Sequence, residues 1–166
     1  MKRKGNEPRK DTELSNLSEG DIAPAISLPR DRGGLVNLAD LTGPVVVYFY
    51  PRDDTPGCTK EAIGFTEELT AFAESGATVL GISKDTVEKH EKFIAKHGLK
   101  VALLSDADSD TCERYGVWAE KKMYGKVFMG IERATFLISG GKIARVWRKV
   151  KVPGHVEEVL EAVRAL

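Results

Sequence analysis

The chain has 166 residues with 25 basic and 25 acidic side chains, so its formal charge is zero and nothing global draws it toward nucleic acid or an anionic membrane. At 42% hydrophobic and 30% charged residues it reads as neither a disordered chain nor a membrane protein, and its longest apolar run, Val45 to Tyr50, is far too short to cross a bilayer. Two cysteines without a Cys-x-x-Cys pair exclude a disulfide framework, a zinc ribbon and a vicinal dithiol site, and they fit a reducing compartment.

Residues 1–17 carry five basic and three acidic side chains, with Leu14 and Leu17 as the sizeable aliphatics, and read as a flexible charged tail ahead of a folded domain over 18–166. Lys2-Arg3-Lys4 is followed by polar residues where a signal peptide needs an apolar stretch, so the expected location is the cytoplasm. After a stretch punctuated by proline and glycine up to Asp40, Pro44 to Tyr50 reads as a buried central strand. A helix is predicted from Pro56 to Ser75 with Gly76 as its stop, then a strand over Ala77–Ile82 and a helix over Asp85–His97 closed by Gly98. A short strand at Ala102–Ser105 and a helical turn at Ser109–Tyr115 come next. Strands at Ala134–Ile138 and Ile143–Trp147 join through the turn signal Gly140-Gly141, and a last helix runs from His155 to Leu166. Buried strands separated by helices, with a hairpin near the end, imply an α/β protein with a central mixed sheet flanked by helices.

Metal binding is not expected. His90 and His97 stand seven residues apart on one helix, about 10 Å of rise, and read as solvated helix residues. Asp106-x-Asp-x-Asp110 begins like a calcium loop, but Thr111 and Val117 stand where that loop needs its glycine and its bidentate glutamate.

The informative stretch is Tyr50-Pro-Arg-Asp-Asp-Thr-Pro-Gly-Cys-Thr-Lys-Glu61, where a strand ends and a helix begins. Thr55 suits the N-cap, its hydroxyl accepting from the first turn, and Pro56 suits the first helical position, which places Cys58 third in the helix. A sulfur there faces unpaired amides and the positive end of the helix dipole. A free thiol with an ordinary pKa near 8.5 is only about 3% ionised at neutrality, and making the anion dominant requires about 3 kcal/mol. The dipole supplies at most about 2 kcal/mol. A cation from another element must supply the rest, and Arg133, just before a predicted strand, is placed better than the exposed Arg52 or Lys60. Cys58, Ala62, Phe65, Leu69 and Phe72 recur at spacings of 4, 3, 4 and 3, putting the sulfur at the head of a core-facing stripe.

Pro51-x-x-x-Thr55-x-x-Cys58 resembles the active-site signature of peroxiredoxins. The fuller string through Ala62, with Glu120–Lys126 and Gly130–Ile138, is similar to the bacterioferritin comigratory protein or peroxiredoxin Q group. The resemblance covers Ser18 to Leu166. It implies a thioredoxin-like fold and a thiol peroxidase acting on hydrogen peroxide and organic hydroperoxides with no metal or organic cofactor. By position it makes Cys58 the peroxidatic cysteine, Thr55 the hydroxyl beside thiolate and peroxide, Pro51 the shield of the pocket and Arg133 the thiolate's cation. Glu61 falls on an acidic or amide position of the group, or is an exposed first-turn charge.

Where many of the group carry a resolving cysteine, five residues after Cys58, this chain has Ile63, an apolar residue about 140° around the helix and off the core stripe. Cys112 is the remaining internal candidate; otherwise an external thiol, thioredoxin, glutaredoxin or a low-molecular-weight thiol, reduces the oxidised sulfur. A monomer or weak homodimer is expected. A redox sensor or holdase on the same fold, oxidised once without turnover, is the competing reading. A cysteine phosphatase is excluded because Gly64, six residues after Cys58, stands where a phosphate-holding arginine belongs.

Overall fold

Val45–Phe49 (β3) is wholly buried and sits at the centre of a five-stranded sheet in a computed structural model that describes residues 17–166. Its run of apolar residues suits a strand covered on both faces. Ahead of it, Ser27–Pro29 (β1) and Leu35–Asn37 (β2) form a small antiparallel pair. After it come helices Pro56–Glu67 (α1) and Leu69–Glu74 (α2), strand Thr78–Ser83 (β4), helix Val87–His97 (α3), strand Ala102–Ser105 (β5) and the short helix Thr111–Arg114 (α4). A hairpin of Trp118–Met123 (β6) and Lys126–Ile131 (β7) precedes Ala134–Ser139 (β8), Lys142–Arg148 (β9) and helix His155–Arg164 (α5). The main sheet has the order β5-β4-β3-β8-β9, parallel from β5 to β3 and antiparallel from β3 to β9, the mixed arrangement expected.

Alternation along β3 divides the core in two. Val46, Tyr48 and Tyr50 enter a cluster with Cys58, Ala62 and Phe65 of α1, Phe72, Phe93 and the apolar face of α5. Val45, Val47 and Phe49 enter the opposite cluster with Leu28, Cys112, Tyr115, Val117, Ile131 and Phe136.

Three expectations are corrected. The helix foreseen from Pro56 to Ser75 breaks at Glu68 (φ −98°, ψ 8°), although no glycine or proline stands there. Tertiary structure overrides propensity at this point: Thr66 Oγ1 accepts the Lys100 amide at 3.1 Å, and Phe72 still reaches the core. The β6–β7 hairpin carries no strand signal in the sequence, because it leaves Met123, Val127, Phe128 and Met129 exposed and turns through Tyr124 and Gly125 at φ 54° and 77° rather than through Asn-Gly. Ile63, expected on the outer face, is half-buried against the first cluster. Residues 1–16 of the expected tail lie outside the described residues, and Leu17, placed at its end, packs against the second cluster. Among the described residues no helix is long and apolar enough to cross a membrane.

Candidate active site

The segment between β3 and α1 delivers its side chains to one end of the sheet. Thr55 is the N-cap by backbone conformation and Pro56 opens the helix, so Cys58 is third in α1. The first closed hydrogen bond of the turn runs from the Thr59 amide to the Thr55 carbonyl at 2.8 Å, leaving the amides before it to face the sulfur's end of the helix. One detail differs from expectation. The Thr55 hydroxyl caps no amide; it donates to the Arg52 carbonyl at 3.0 Å, so only its lone pairs remain for a ligand.

Arg133 lies in the two-residue connection between β7 and β8 and reaches across to α1. Its Nη2 is 3.4 Å from Cys58 Sγ and its Nη1 is 2.7 Å from Glu61 Oε1, so one guanidinium bridges two helix residues one turn apart. Gly57 makes room for it, since a Cβ there would stand 3.1 Å from Nη2. Cys58 is 2% exposed, a sulfur seated inside the protein rather than on it.

Glu61, left open between a site residue and an exposed charge, is completely buried. Burial pushes its carboxyl up to about 7 against the opposing pull of the Arg133 guanidinium. Its Oε2, like the buried Tyr48 hydroxyl, has no hydrogen-bond partner among the described residues. Beside the site, Pro51 and Thr55 line a groove together with Trp118, Lys121 and Met129 of the β6–β7 hairpin. Burial and then the nearby Arg133 hold the Lys121 ammonium below its ordinary pKa. Lys121 lies within the Glu120–Lys126 string, yet the sequence assigns it no role, because only the hairpin brings it to the site.

His90, expected to be solvated, is completely buried, since the inward face of α3 carries it together with Phe93. Its Nδ1 is 2.7 Å from Asp53 Oδ2 and its Nε2 is 2.9 Å from the Leu104 carbonyl. His97 instead pairs with Asp54 Oδ1 at 2.8 Å near the surface. Asp106, first residue of the apparent calcium loop, accepts from the Thr111 and Cys112 amides and pairs with Lys84 at 3.1 Å.

Cys112 is not brought to Cys58. It is buried in the core cluster on the other side of the sheet, its thiol pushed far up in pKa by burial and then by Asp106. Both cysteines are free thiols.

The AhpC/TSA family model matches residues 20–146. The putative peroxiredoxin bcp of Coxiella burnetii is 51% identical over 147 residues, covering 87% of this chain and 97% of that protein, and peroxiredoxin Bcp of Bacillus subtilis is 47% identical over 147 residues, covering 87% and 94%. Among solved structures, the bacterioferritin comigratory protein of Xanthomonas campestris, studied for its alkyl peroxide reduction activity as a trapped intermediate/ligand complex, superimposes with a TM-score of 0.82 at 42% identity, covering 89% of this chain and 98% of that one. The family model spans most of the chain and the relatives match over nearly their whole length: the chain belongs to the AhpC/TSA family and is a peroxiredoxin of the Bcp kind, a thiol peroxidase of thioredoxin-like fold.

Proposed function

We propose that this peroxidase works through one sulfur, Cys58, on hydrogen peroxide and organic hydroperoxides, and that an external thiol, with thioredoxin the first candidate, completes the cycle. The observation that carries the reading is the Arg133 guanidinium 3.4 Å from a buried Sγ at a helix mouth. The thiolate attacks the distal oxygen in line with the O–O bond; the S–O bond forms as the O–O bond breaks, leaving a sulfenic acid and an alkoxide or hydroxide that takes up a proton to become alcohol or water. Charge moving onto the leaving oxygen is met by Arg133 and the Cys58 amide. Because the Thr55 proton is committed to Arg52, Thr55 accepts the O–H of the incoming peroxide and so orients it, while Pro51 shields the sulfur from water. Glu61 holds Arg133 in place by occupying its second nitrogen.

The sulfenic acid then condenses with an external thiol, releasing water and forming a mixed disulfide, and a second thiol returns Cys58 to its starting state. Cys112, the internal candidate, is disfavoured by its place in the opposite core cluster, from which it reaches Cys58 only if that part of the fold opens. The chain is taken to act in the cytoplasm as a monomer or weak homodimer. The test is continuous peroxide consumption with NADPH, thioredoxin reductase and thioredoxin, with glutaredoxin and glutathione as parallel arms. Sustained turnover in any arm is expected; a single stoichiometric oxidation in all of them would leave the sensor or holdase reading in its place.

A further inference from the structure

We propose that His90 is a positioning residue for peroxide reduction: as a buried cation bound to Asp53, it holds the loop that carries Pro51 and Thr55 in the geometry Cys58 requires. The proposal deepens the reading of Cys58 as the reactive sulfur and rests on it. Residues 51–55 belong to no strand or helix, so their placement comes from elsewhere. Asp53 is the anchor. Its Oδ1 accepts from Tyr50 Oη at 2.6 Å and its Oδ2 meets His90 Nδ1 at 2.7 Å, while its amide donates to Asp85 Oδ2 at 2.8 Å. Asp85 is itself fixed by Ser83 Oγ at 2.7 Å and, through its carbonyl, by Ser105 Oγ at 2.6 Å. One residue further on, Asp54 adopts φ 61° and pairs with Lys96 and His97. Beyond the helix it introduces, the loop is therefore tied to α3 and to the ends of β4 and β5.

Hydrogen counting and the ring's surroundings together point to the charge. The Leu104 carbonyl only accepts, so His90 Nε2 carries a hydrogen. Asp53 Oδ1 already accepts from Tyr50, so the 2.7 Å contact between Oδ2 and Nδ1 holds one hydrogen, and with Asp53 as a carboxylate that hydrogen sits on Nδ1 as well. A ring with both nitrogens protonated is an imidazolium, here completely buried and paired. The surroundings agree: burial lowers the ring's pKa, but the Asp53 hydrogen bond and charge, the Leu104 carbonyl and Asp85 outweigh it, so the net shift is upward. Those groups are the ones that face the ring, Asp53 and Tyr50 from the end of β3 and the loop, Asp85 from the turn before α3, and Leu104 from β5. Tyr50 stays neutral throughout, since burial and Asp53 raise its pKa well above the ordinary value. A raised histidine pKa means the anchor is intact at low and neutral pH and is released as pH climbs through that value.

Stopped-flow oxidation of Cys58 by hydrogen peroxide from pH 6 to 10 tests this on wild type, His90→Gln, Asp53→Asn and the double variant, each with a thermal melt. Each single variant is expected to oxidise at least tenfold more slowly. The wild-type rate should fall reversibly on the alkaline side, and His90→Gln should lack that fall. The double variant, which pairs two neutral amides, should recover part of the rate. Nitrogen-15 spectra of the wild-type ring at pH 7 should show hydrogens on both nitrogens, a readout that does not depend on any variant folding. Variants that melt lower yet oxidise at the wild-type rate with the wild-type pH profile would overturn the proposal, as would a neutral ring. Peroxide consumption surviving in Cys58→Ser would instead overturn the assignment of the sulfur.

Discussion

Cys58 and Cys112 share three features: each is buried, each sits in the first turn of a helix, and each has a charged side chain beside it. They differ in the sign of that charge. Arg133 points its guanidinium at Cys58, whereas the Asp106 carboxylate fills the mouth of α4 by accepting from the Cys112 amide at 2.8 Å. A helix start favours whatever anion arrives first. At α4 a carboxylate already occupies that place, and a second anion on the neighbouring sulfur would be repelled. At α1 the place is left to the sulfur itself. Two first-turn cysteines thus stand in opposite electrostatic surroundings, and the side chain facing each one sets the difference.

The contrast is sharpest by substitution. Cys58→Ser should abolish peroxide consumption, while Cys112→Ser should keep the wild-type rate with dithiothreitol and with thioredoxin; loss of the thioredoxin-driven cycle alone would make Cys112 the resolving residue. Arg133→Ala should lower the rate of Cys58 oxidation on the order of a hundredfold, as removal of a charge-stabilising donor does elsewhere, and should slow alkylation by iodoacetamide at pH 7. An unchanged alkylation rate would mean that the helix mouth suffices.

Protonation acts on stability, not on the reaction, on the Cys58 side of the sheet. Burial lowers His155 to about 4; its Nε2 is hydrogen-bonded with the Thr135 hydroxyl at 2.8 Å, and its ring meets Phe65 and Trp147 edge-on. A histidine depressed on folding is protonated more readily when unfolded, so its contribution is present above pH 6.5 and is lost as pH falls toward 4, about 3 kcal/mol in all. Glu61 has the opposite sign. Its carboxyl, raised to about 7, favours the fold below pH 4.5 and weakens it as pH climbs through 7. Glu61→Gln, which keeps an acceptor for Arg133, should therefore raise the melting temperature at pH 8 more than at pH 5. Equal shifts at both would show that its charge is not strained there.

What the sequence disclosed follows the same physical divide. The β3 run, the Thr55-Pro56 helix start and the need for a distant cation at Cys58 are local arguments, and Arg133 answered the last because strand ends converge on helix mouths in this architecture. His90 was illegible because a histidine among lysines and glutamates on a helix reads as surface; its buried ring is met by Asp53, 37 residues away in sequence, and by the Leu104 carbonyl. The β6–β7 hairpin gave no strand signal because little of it is buried, and Lys121 was lost with it. The break at Glu68 and the inward turn of Glu61 are both settled by neighbours outside their own helix.

Gly57 has an ordinary backbone conformation in the first turn of α1, so alanine there suits a helix better than glycine does, by a fraction of a kcal/mol up to about 1. The added methyl would stand 3.1 Å from the guanidinium nitrogen that touches Sγ and would push it away by a few tenths of an ångström. Gly57→Ala is thus expected to melt slightly higher while reacting severalfold more slowly. At this one carbon, sturdiness and chemistry are in opposition, and the chain has kept the hydrogen.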